Sequence, residues 1–448
     1  MKAREFIASV SGNALEWFDY ILYAYLTPLF APLFFPAKNP LTSLMLSFSV
    51  FAGGFLIRPV GGMLIGYIGD KYSRRHALIT TMSLMTIATS LMAMLPTYTS
   101  IGLAAPILLT VIRMLQGLAT SGEFNSSANY LIEQSSTQHS FMGSLVSLSA
   151  TFGIFMGALF SFLIKISFPP ITRTQYGWRL AFAIAALFSF VLLIIRCKMT
   201  EKNIKNSKAL SQWNILKELF QQHKKDFIKV ILICSLLGIG NYYLFGFFNA
   251  LLYQYTVISS SAISIINFSC IFISIFLIYG YGKLTEKFGA TAIFFTGAIG
   301  FLLFAYPIFY LLLAKNIFLI FSAQLVFVNF LSCIAASFPI IIAGFFPKKI
   351  RNSGTAISYN LSLAIFGGTA PLLALSLIKY THWIMAPSIY LSIVSLIVIF
   401  ALIFFNAVIA HLGIERTGTP LQMALHSHDE AMFKILADQM DPAEVQRQ

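Results

Sequence analysis

Twelve mostly apolar stretches run along the chain, at 9–31, 44–69, 76–95, 101–124, 141–167, 177–197, 228–256, 262–282, 290–313, 316–346, 353–378 and 384–410. Each is of the length, about 20 residues, that carries a helix across the hydrocarbon core of a bilayer. Their apolar positions do not alternate in runs of about ten, as the strands of a membrane barrel would. The connections are short and leave no soluble domain between spans. The charged start runs directly into a full-length span, without the cleavage site of a signal peptide. The pattern predicts an all-α integral membrane protein with twelve transmembrane helices.

One polar connection is long. Residues 198–227 carry Lys198, Lys202, Lys205, Lys208, Lys217, Lys224 and Lys225. They divide the chain into a first six-helix bundle (1–197) and a second (228–410), with a tail at 411–448. The halves echo each other: Gly66-Tyr67-Ile68-Gly69-Asp70-Lys71-Tyr72 follows the second span and Gly282-Lys283-Leu284-Thr285-Glu286-Lys287-Phe288 the eighth. Both read Gly, three residues, acid, Lys, aromatic. Parallel duplication of six helices is one way transporters build a central site between two bundles. In the tail, Leu421, Leu425, Met432, Leu436 and Met440 are spaced to line one side of a short surface helix, and an unstructured end is the alternative.

Composition agrees: 58% of residues are hydrophobic and 10% charged, with a mean hydropathy of +0.79. The net charge of +14 reports topology. Lys2, Arg4, Lys71, Arg74, Arg75, Lys283, Lys287, Lys348, Lys349, Arg351 and the linker lysines fall on one side of the spans. Lys38, Lys165, Arg173, Arg179, Lys315 and Lys379 fall on the other. The positive-inside rule then puts both termini and the linker in the cytoplasm. Charge spread over loops excludes a nucleic-acid surface and suits anionic lipid headgroups. Cys197, Cys234, Cys270 and Cys333 have no metal-ligand spacing and read as packing residues. The histidines form no His-Glu-x-x-His motif, and no nucleophile–base arrangement is visible, so neither an enzyme nor a metal site is expected.

The chemistry lies in charges at membrane depth, which are costly and face a partner or a wet cavity. Glu16 and Asp19 sit on one side of the first span, Arg58 in the second, and Arg113 and Glu123 in the fourth. The last six spans contain none. Three acids against two bases leave one excess negative charge. Burial disfavours an ionised carboxylate and a neighbouring guanidinium favours it, so the least well-paired acid is a candidate proton carrier. Glu16 and Asp19 are the first candidates and Glu123 the third. A static charge network holding the helices in register is the alternative. Arg113, and with it Arg58, is suited to grip a substrate carboxylate, because a guanidinium forks onto two oxygens.

The second half offers neutral polar groups: Asn241, Tyr242, Tyr243, Asn267, Asn329, Tyr359 and Asn360. Aromatic rings can surround a quaternary ammonium group. Tyr242, Tyr243, Asn241 and Asn360 are therefore candidate ligand contacts, although most of the 19 Tyr and 44 Phe must pack. Gly62 with Gly66, and Gly153 with Gly157, are spaced for close helix approach.

Five stretches carry a resemblance to a known family. They are Gly12-Asn13 to Glu16-Trp17-Phe18-Asp19; Arg58-Pro59-Val60-Gly61-Gly62 through Gly66, Gly69-Asp70-Lys71 and Arg74-Arg75; Arg113 with Gln116-Gly117 and Gly122-Glu123; Tyr176-Gly177-Trp178-Arg179; and Phe346-Pro347, Arg351, Tyr359-Asn360-Leu361-Ser362, Phe366-Gly367-Gly368 and Pro371. The chain resembles the major facilitator superfamily over residues 5 to 410, and within it the metabolite–proton symporters that include proline/glycine-betaine transporters. The resemblance implies two six-helix bundles rocking about a central site, proton-driven uptake, and a 66–75 loop in which Asp70, Arg74 and Arg75 latch the gate. Five departures stand out: Ser73 and Ser121 each replace a glycine, the second loop lacks paired arginines, the proline expected late in the seventh span is missing, and there is no extended C-terminal coiled coil.

The expectation is a monomeric secondary transporter in a bacterial inner membrane, importing a small polar metabolite with protons and using no other cofactor. Zwitterions such as proline or betaine come first, and carboxylates such as 2-oxoglutarate or citrate are the alternative. Uncoupled facilitation, export, or a transporter-like receptor would leave the buried charges without a coupling role.

Overall fold

A computed structural model describes residues 3–38, 40–135, 138–198, 212–256 and 258–411, and every regular element among them is a helix. Eleven spans are long and apolar enough to cross a membrane: Leu46–Lys71, Arg74–Met94, Ala104–Glu133, His139–Ile164, Arg173–Cys197, Lys224–Tyr255, Ala262–Phe288, Ala290–Leu312, Ile317–Gly344, Arg351–Thr381 and Ala386–Ile403. The twelfth is the first helix, Ala3–Phe34, whose 32 residues reach about 48 Å at 1.5 Å each. Asn13, Glu16, Asp19, Pro28 and Pro32 dilute its apolar character. Large apolar side chains such as Leu56, Leu103, Ile107 and Phe318 stand exposed on the outside, as lipid-facing positions do.

Duplication is visible in the packing. The first span packs on the fifth, the second on the fourth, and the third on the fourth and sixth. Six spans later the same pairs recur: seventh on eleventh, eighth on tenth, ninth on tenth and twelfth. The bundles meet where the second span packs on the eleventh and the eighth on the fifth, which is one contact seen twice. These are the twelve helices in two six-helix bundles that the sequence predicts.

Local breaks position the site. The second span is interrupted at Ile57, where Pro59 enters the next helix; a proline there has no N–H to lose from the helix ladder. The seventh and eleventh spans each contain a π turn, Tyr243–Phe247 and Leu363–Gly367. Single π turns are one of the identifiable causes of helix bends. The seventh span carries this irregularity without the missing proline. The described part of the linker includes a helix, Gln212–Gln222, which buries Ile215 and Leu219 and pairs Glu218 with Lys349 (2.6 Å). The tail after His411 lies outside the described residues.

Candidate functional site at the bundle interface

Among the described residues, six acidic or basic side chains are buried inside the first bundle, each no more than 3% exposed: Glu16, Asp19, Arg58, Arg113, Glu123 and Arg196. The count corrects the sequence arithmetic. Arg196 is the penultimate residue of the sixth span and reads as the start of the basic linker, yet its side chain turns inward. Both of its terminal nitrogens donate to Glu123, Nη1 to Oε2 at 2.8 Å and Nη2 to Oε1. Three acids therefore face three guanidiniums, and no excess negative charge remains.

The three pairs are unequal. Thr81 Oγ1 also donates to Glu123 (2.6 Å), and Ser127 Oγ does so at 3.3 Å, so both carboxylate oxygens are engaged. Arg58 Nη2 lies 3.6 Å from Glu16 Oε1, and Arg113 Nη1 lies 3.5 Å from Asp19 Oδ2. These two are ion pairs at longer range. Gln116 links the second: it accepts from Arg113 and donates Nε2 to Asp19 Oδ2 (2.7 Å), while Thr89 donates to Oδ1 (3.1 Å). The loose pairs leave buried atoms without hydrogen-bond partners among the described residues, namely Glu16 Oε2, Arg58 Nε and Nη2, and Arg113 Nη2. Most buried polar atoms find a partner, so such a group calls for an explanation.

Aromatic rings surround both guanidiniums. Arg113 Cζ lies 3.7 Å from the centre of Tyr23, and Arg58 Cζ 4.7 Å from Tyr20 and 4.6 Å from Phe55. Phe55 in turn meets Tyr242 of the second bundle, ring centres 5.8 Å apart. Tyr242 ends the helix before one π turn, and its ring packs against Gly367, the last residue of the other, where a β-carbon would stand only 2.9 Å from it. The Tyr242 hydroxyl and Asn360 Oδ1 are buried without hydrogen-bond partners among the described residues. Asn360 Nδ2 donates across the interface to Ser121 O (2.5 Å).

The structure thus brings Glu16, Arg58, Tyr242 and Asn360 to the bundle interface, whereas Asp19 and Arg113 pair within the first bundle, among Tyr20, Tyr23 and Phe51. Tyr243 has other company: its hydroxyl donates to Pro387 O (3.2 Å) and its ring packs with Phe247, Phe248 and Phe309. Asn241 is half-buried. Asn329 accepts from Tyr281 (2.8 Å), and Asn267 donates to Leu244 O (2.7 Å), so both tie helices within the second bundle.

The end of the molecule bearing the 66–75 loop is closed. Asp70 accepts from the backbone N–H of Asn352 (3.1 Å) and Ser353 (2.8 Å) in the first turn of the eleventh span, and from Arg74 (2.5 Å). A helix N-terminus has free N–H groups and favours negative charge. Arg74 and Arg351 converge on Glu133 at 3.3 and 3.2 Å. Arg75 reaches away, to Cys197 O (2.6 Å). The repeated motif has the repeated contact: Glu286 accepts from the N–H of Phe141 (2.7 Å), in the first turn of the fifth span. Above these, Asn129 donates to Asn352 (3.0 Å), and Phe124 stacks with Phe338 and Tyr359. Sequence reasoning missed Arg196 and Glu133. The two replaced glycines are accommodated, Ser73 as an extended cap accepting from His76 N (3.3 Å), Ser121 by packing on Gly61.

Two bundles, a polar interface and helix-end latches define a membrane transporter of the major facilitator superfamily. The profile of the "Sugar (and other) transporter" family matches residues 5–203. The solved proton:xylose symporter XylE superposes with a TM-score of 0.72 at 15% identity, covering 90% of this chain and 94% of that one. A Staphylococcus aureus (strain COL) relative assigned by name to the proline/betaine transporters is 31% identical, over 87% of this chain and 85% of its own. The alpha-ketoglutarate permease of Escherichia coli (strain K12) is 30% identical, over 83% and 86%. The chain belongs to the family of these relatives within the major facilitator superfamily, and it is a transporter rather than an enzyme.

Proposed function

We propose that this transporter imports a small carboxylate-bearing metabolite together with protons, and that Glu16 and Asp19 load the protons while Arg58 and Arg113 hold the carboxylate. The observation that carries this is the contrast between the closed Glu123–Arg196 pair and the two loose pairs with unpartnered donors. At rest each guanidinium is balanced by an acid. Protonating Glu16 or Asp19 removes that balance and leaves N–H groups for an incoming carboxylate. By linkage, the bound carboxylate holds the proton in turn. One proton crossing 100 mV supplies about 2.3 kcal/mol, enough for roughly 50-fold accumulation.

The Tyr242 hydroxyl and Asn360 are the second bundle's contribution to the substrate, and the 66–75 end, rich in Lys and Arg, is the cytoplasmic face. The protein works as a monomer in a bacterial inner membrane, with anionic lipid against that face. A zwitterion such as proline or betaine fits the family's names. A second reading, a carboxylate such as 2-oxoglutarate or citrate, is favoured by one observation: the aromatic faces that could cage an ammonium group are already covered by Arg58 and Arg113.

Uptake into proteoliposomes loaded with a pH-sensitive dye tests both. Internal acidification with one substrate class, lost in Asp19→Asn or Glu16→Gln, is the expected result. Substrate entry without acidification would refute coupling and return the buried charges to a structural role.

A further inference from the structure

The fourth span is tied to the eleventh across the bundle interface, and one polar side chain between the ties is left over. Asn129 donates to Asn352 Oδ1 (3.0 Å) and Thr355 Oγ1 (3.2 Å), and Asn360 donates to the Ser121 carbonyl (2.5 Å). Asn125 lies one turn from each of Ser121 and Asn129, on the same side of the helix. It is 1% exposed, and neither Nδ2 nor Oδ1 has a hydrogen-bond partner among the described residues. The polar groups of the eleventh span between its two ties are already engaged. Thr355 and Ser358 donate to carbonyls of their own helix, Arg351 O (2.8 Å) and Gly354 O (2.6 Å), and the Ala356 carbonyl accepts from Asn360 (2.8 Å). The second span crosses the eleventh here through glycines: a β-carbon at Gly62 would stand 3.1 Å from Ala356 O, and one at Gly66 2.7 Å from Ser353 Cα.

A side-chain amide offers both donors and an acceptor, which water satisfies when it is exposed. Burial without a partner forfeits that hydration. The loss falls on the closed state, because Asn125 lies between two ties that each cross from one bundle to the other, and parting the bundles at this end opens it to water. We infer that Asn125 is a release element of the transport cycle: its unbonded amide opposes closure of the basic end and sets how readily the bundles part there. It works against Asp70, which ties the second span to the first turn of the eleventh through two backbone N–H groups. At the low end of the penalty for a buried unbonded group, the closed-to-open ratio is smaller by a factor of about ten than it would be with an apolar residue. The latch is thus kept from holding the bundles shut. This role requires neither proton coupling nor a particular substrate, so failure of the symport reading leaves it untouched.

Asn125→Leu replaces the amide by an apolar side chain of similar size, and Asn125→Ala removes it without adding bulk. Ser144 of the fifth span is a reporter at the other interbundle contact: it is 1% exposed and packs on Gly282 of the eighth span. In the full chain in detergent, carrying Ser144→Cys and with the exposed Cys197 replaced by Ser, maleimide labelling follows the open population. The same chain without Ser144→Cys gives the background from the buried Cys234, Cys270 and Cys333. Labelling should slow about tenfold in both variants, with a Tm no lower than that of the parent. An amide that merely holds the fold together would give the opposite signs, faster labelling and a lower Tm. Unchanged or faster labelling in both variants would overturn the assignment, and so would failure of both to fold, since either result means that the amide is satisfied in the closed state. Where the two variants differ, Asn125→Ala decides, because it introduces no new contact.

Discussion

The two latches are homologous in position and unequal in strength, and the inequality can be measured. Asp70 is buried and accepts two backbone N–H groups and Arg74, whereas Glu286 is exposed and accepts one N–H group. Replacing Asp70 by Asn keeps the shape but removes the charge from hydrogen bonds worth about 1.5–3 kcal/mol each. Losing the equivalent of two of them costs the closed state roughly 3 kcal/mol, about a 100-fold change in the closed-to-open ratio at 1.4 kcal/mol per decade. For Glu286→Gln the exposed interaction is worth about 0.5 kcal/mol, roughly a twofold change. Ser126 provides the reporter: it is fully buried at the interface, where it accepts from Asn352 Nδ2 (3.2 Å). In a Ser126→Cys background, with the exposed Cys197 replaced by Ser, labelling by a membrane-impermeant maleimide follows the open population when opening is fast. Labelling should accelerate about 100-fold in Asp70→Asn and about twofold in Glu286→Gln. Equal acceleration in the two variants, or none in Asp70→Asn, would refute the assignment of unequal latches.

Three further outcomes follow from the buried pairs. Arg196→Met leaves Glu123 charged and unpaired and should cost about 3–5 kcal/mol; thermal unfolding in detergent checks it, and an unchanged Tm would show that the pair holds nothing together. Arg113→Lys keeps the charge but loses the planar fork over Tyr23, so substrate affinity should fall about tenfold or more, the measure of one lost charge-assisted contact; unaltered affinity by isothermal titration would move the carboxylate elsewhere. Tyr242→Phe keeps the ring against Phe55 and Gly367 and removes only the hydroxyl. KM for uptake should rise about tenfold, one buried hydrogen bond's worth, and a wild-type KM would take Tyr242 out of the site.

What the sequence could reveal depended on whether the signal was local. Span length and hydropathy are local, so the twelve helices were readable, as was the Gly–acid–Lys echo of the two loops. Arg196 was not, because a long side chain at the end of an apolar run can turn outward to the headgroups or inward to a partner, and only the position of Glu123 decides. Tyr242 and Tyr243 could not be separated either. Adjacent helical residues point about 100° apart, so only one faces the interface, and the π turn that begins at Tyr243 decides which. The hydrogen bonds of Asp70 and Glu286 to first-turn N–H groups were hidden because the acceptors are acids but the donors are backbone.

The uneven distribution of charge between the halves has a mechanical consequence. Breaking a buried ion pair costs about 3–5 kcal/mol, and a cycle that separated several such pairs would be slow. Here Glu16–Arg58, Asp19–Arg113 and Glu123–Arg196 each lie wholly within the first bundle, so rocking one bundle against the other separates none of them. At the level of the site, the bundles are joined instead by Asn129–Asn352, Asn360–Ser121 and the Phe124–Phe338–Tyr359 stack. These are neutral contacts whose hydrogen bonds are worth about 1 kcal/mol net each. The interbundle charges, Asp70 and the Arg74–Glu133–Arg351 cluster, sit at the basic end, where water can replace them as the bundles part. Charge buried at the site is thus kept within one bundle, and charge shared between the bundles is kept at the basic end.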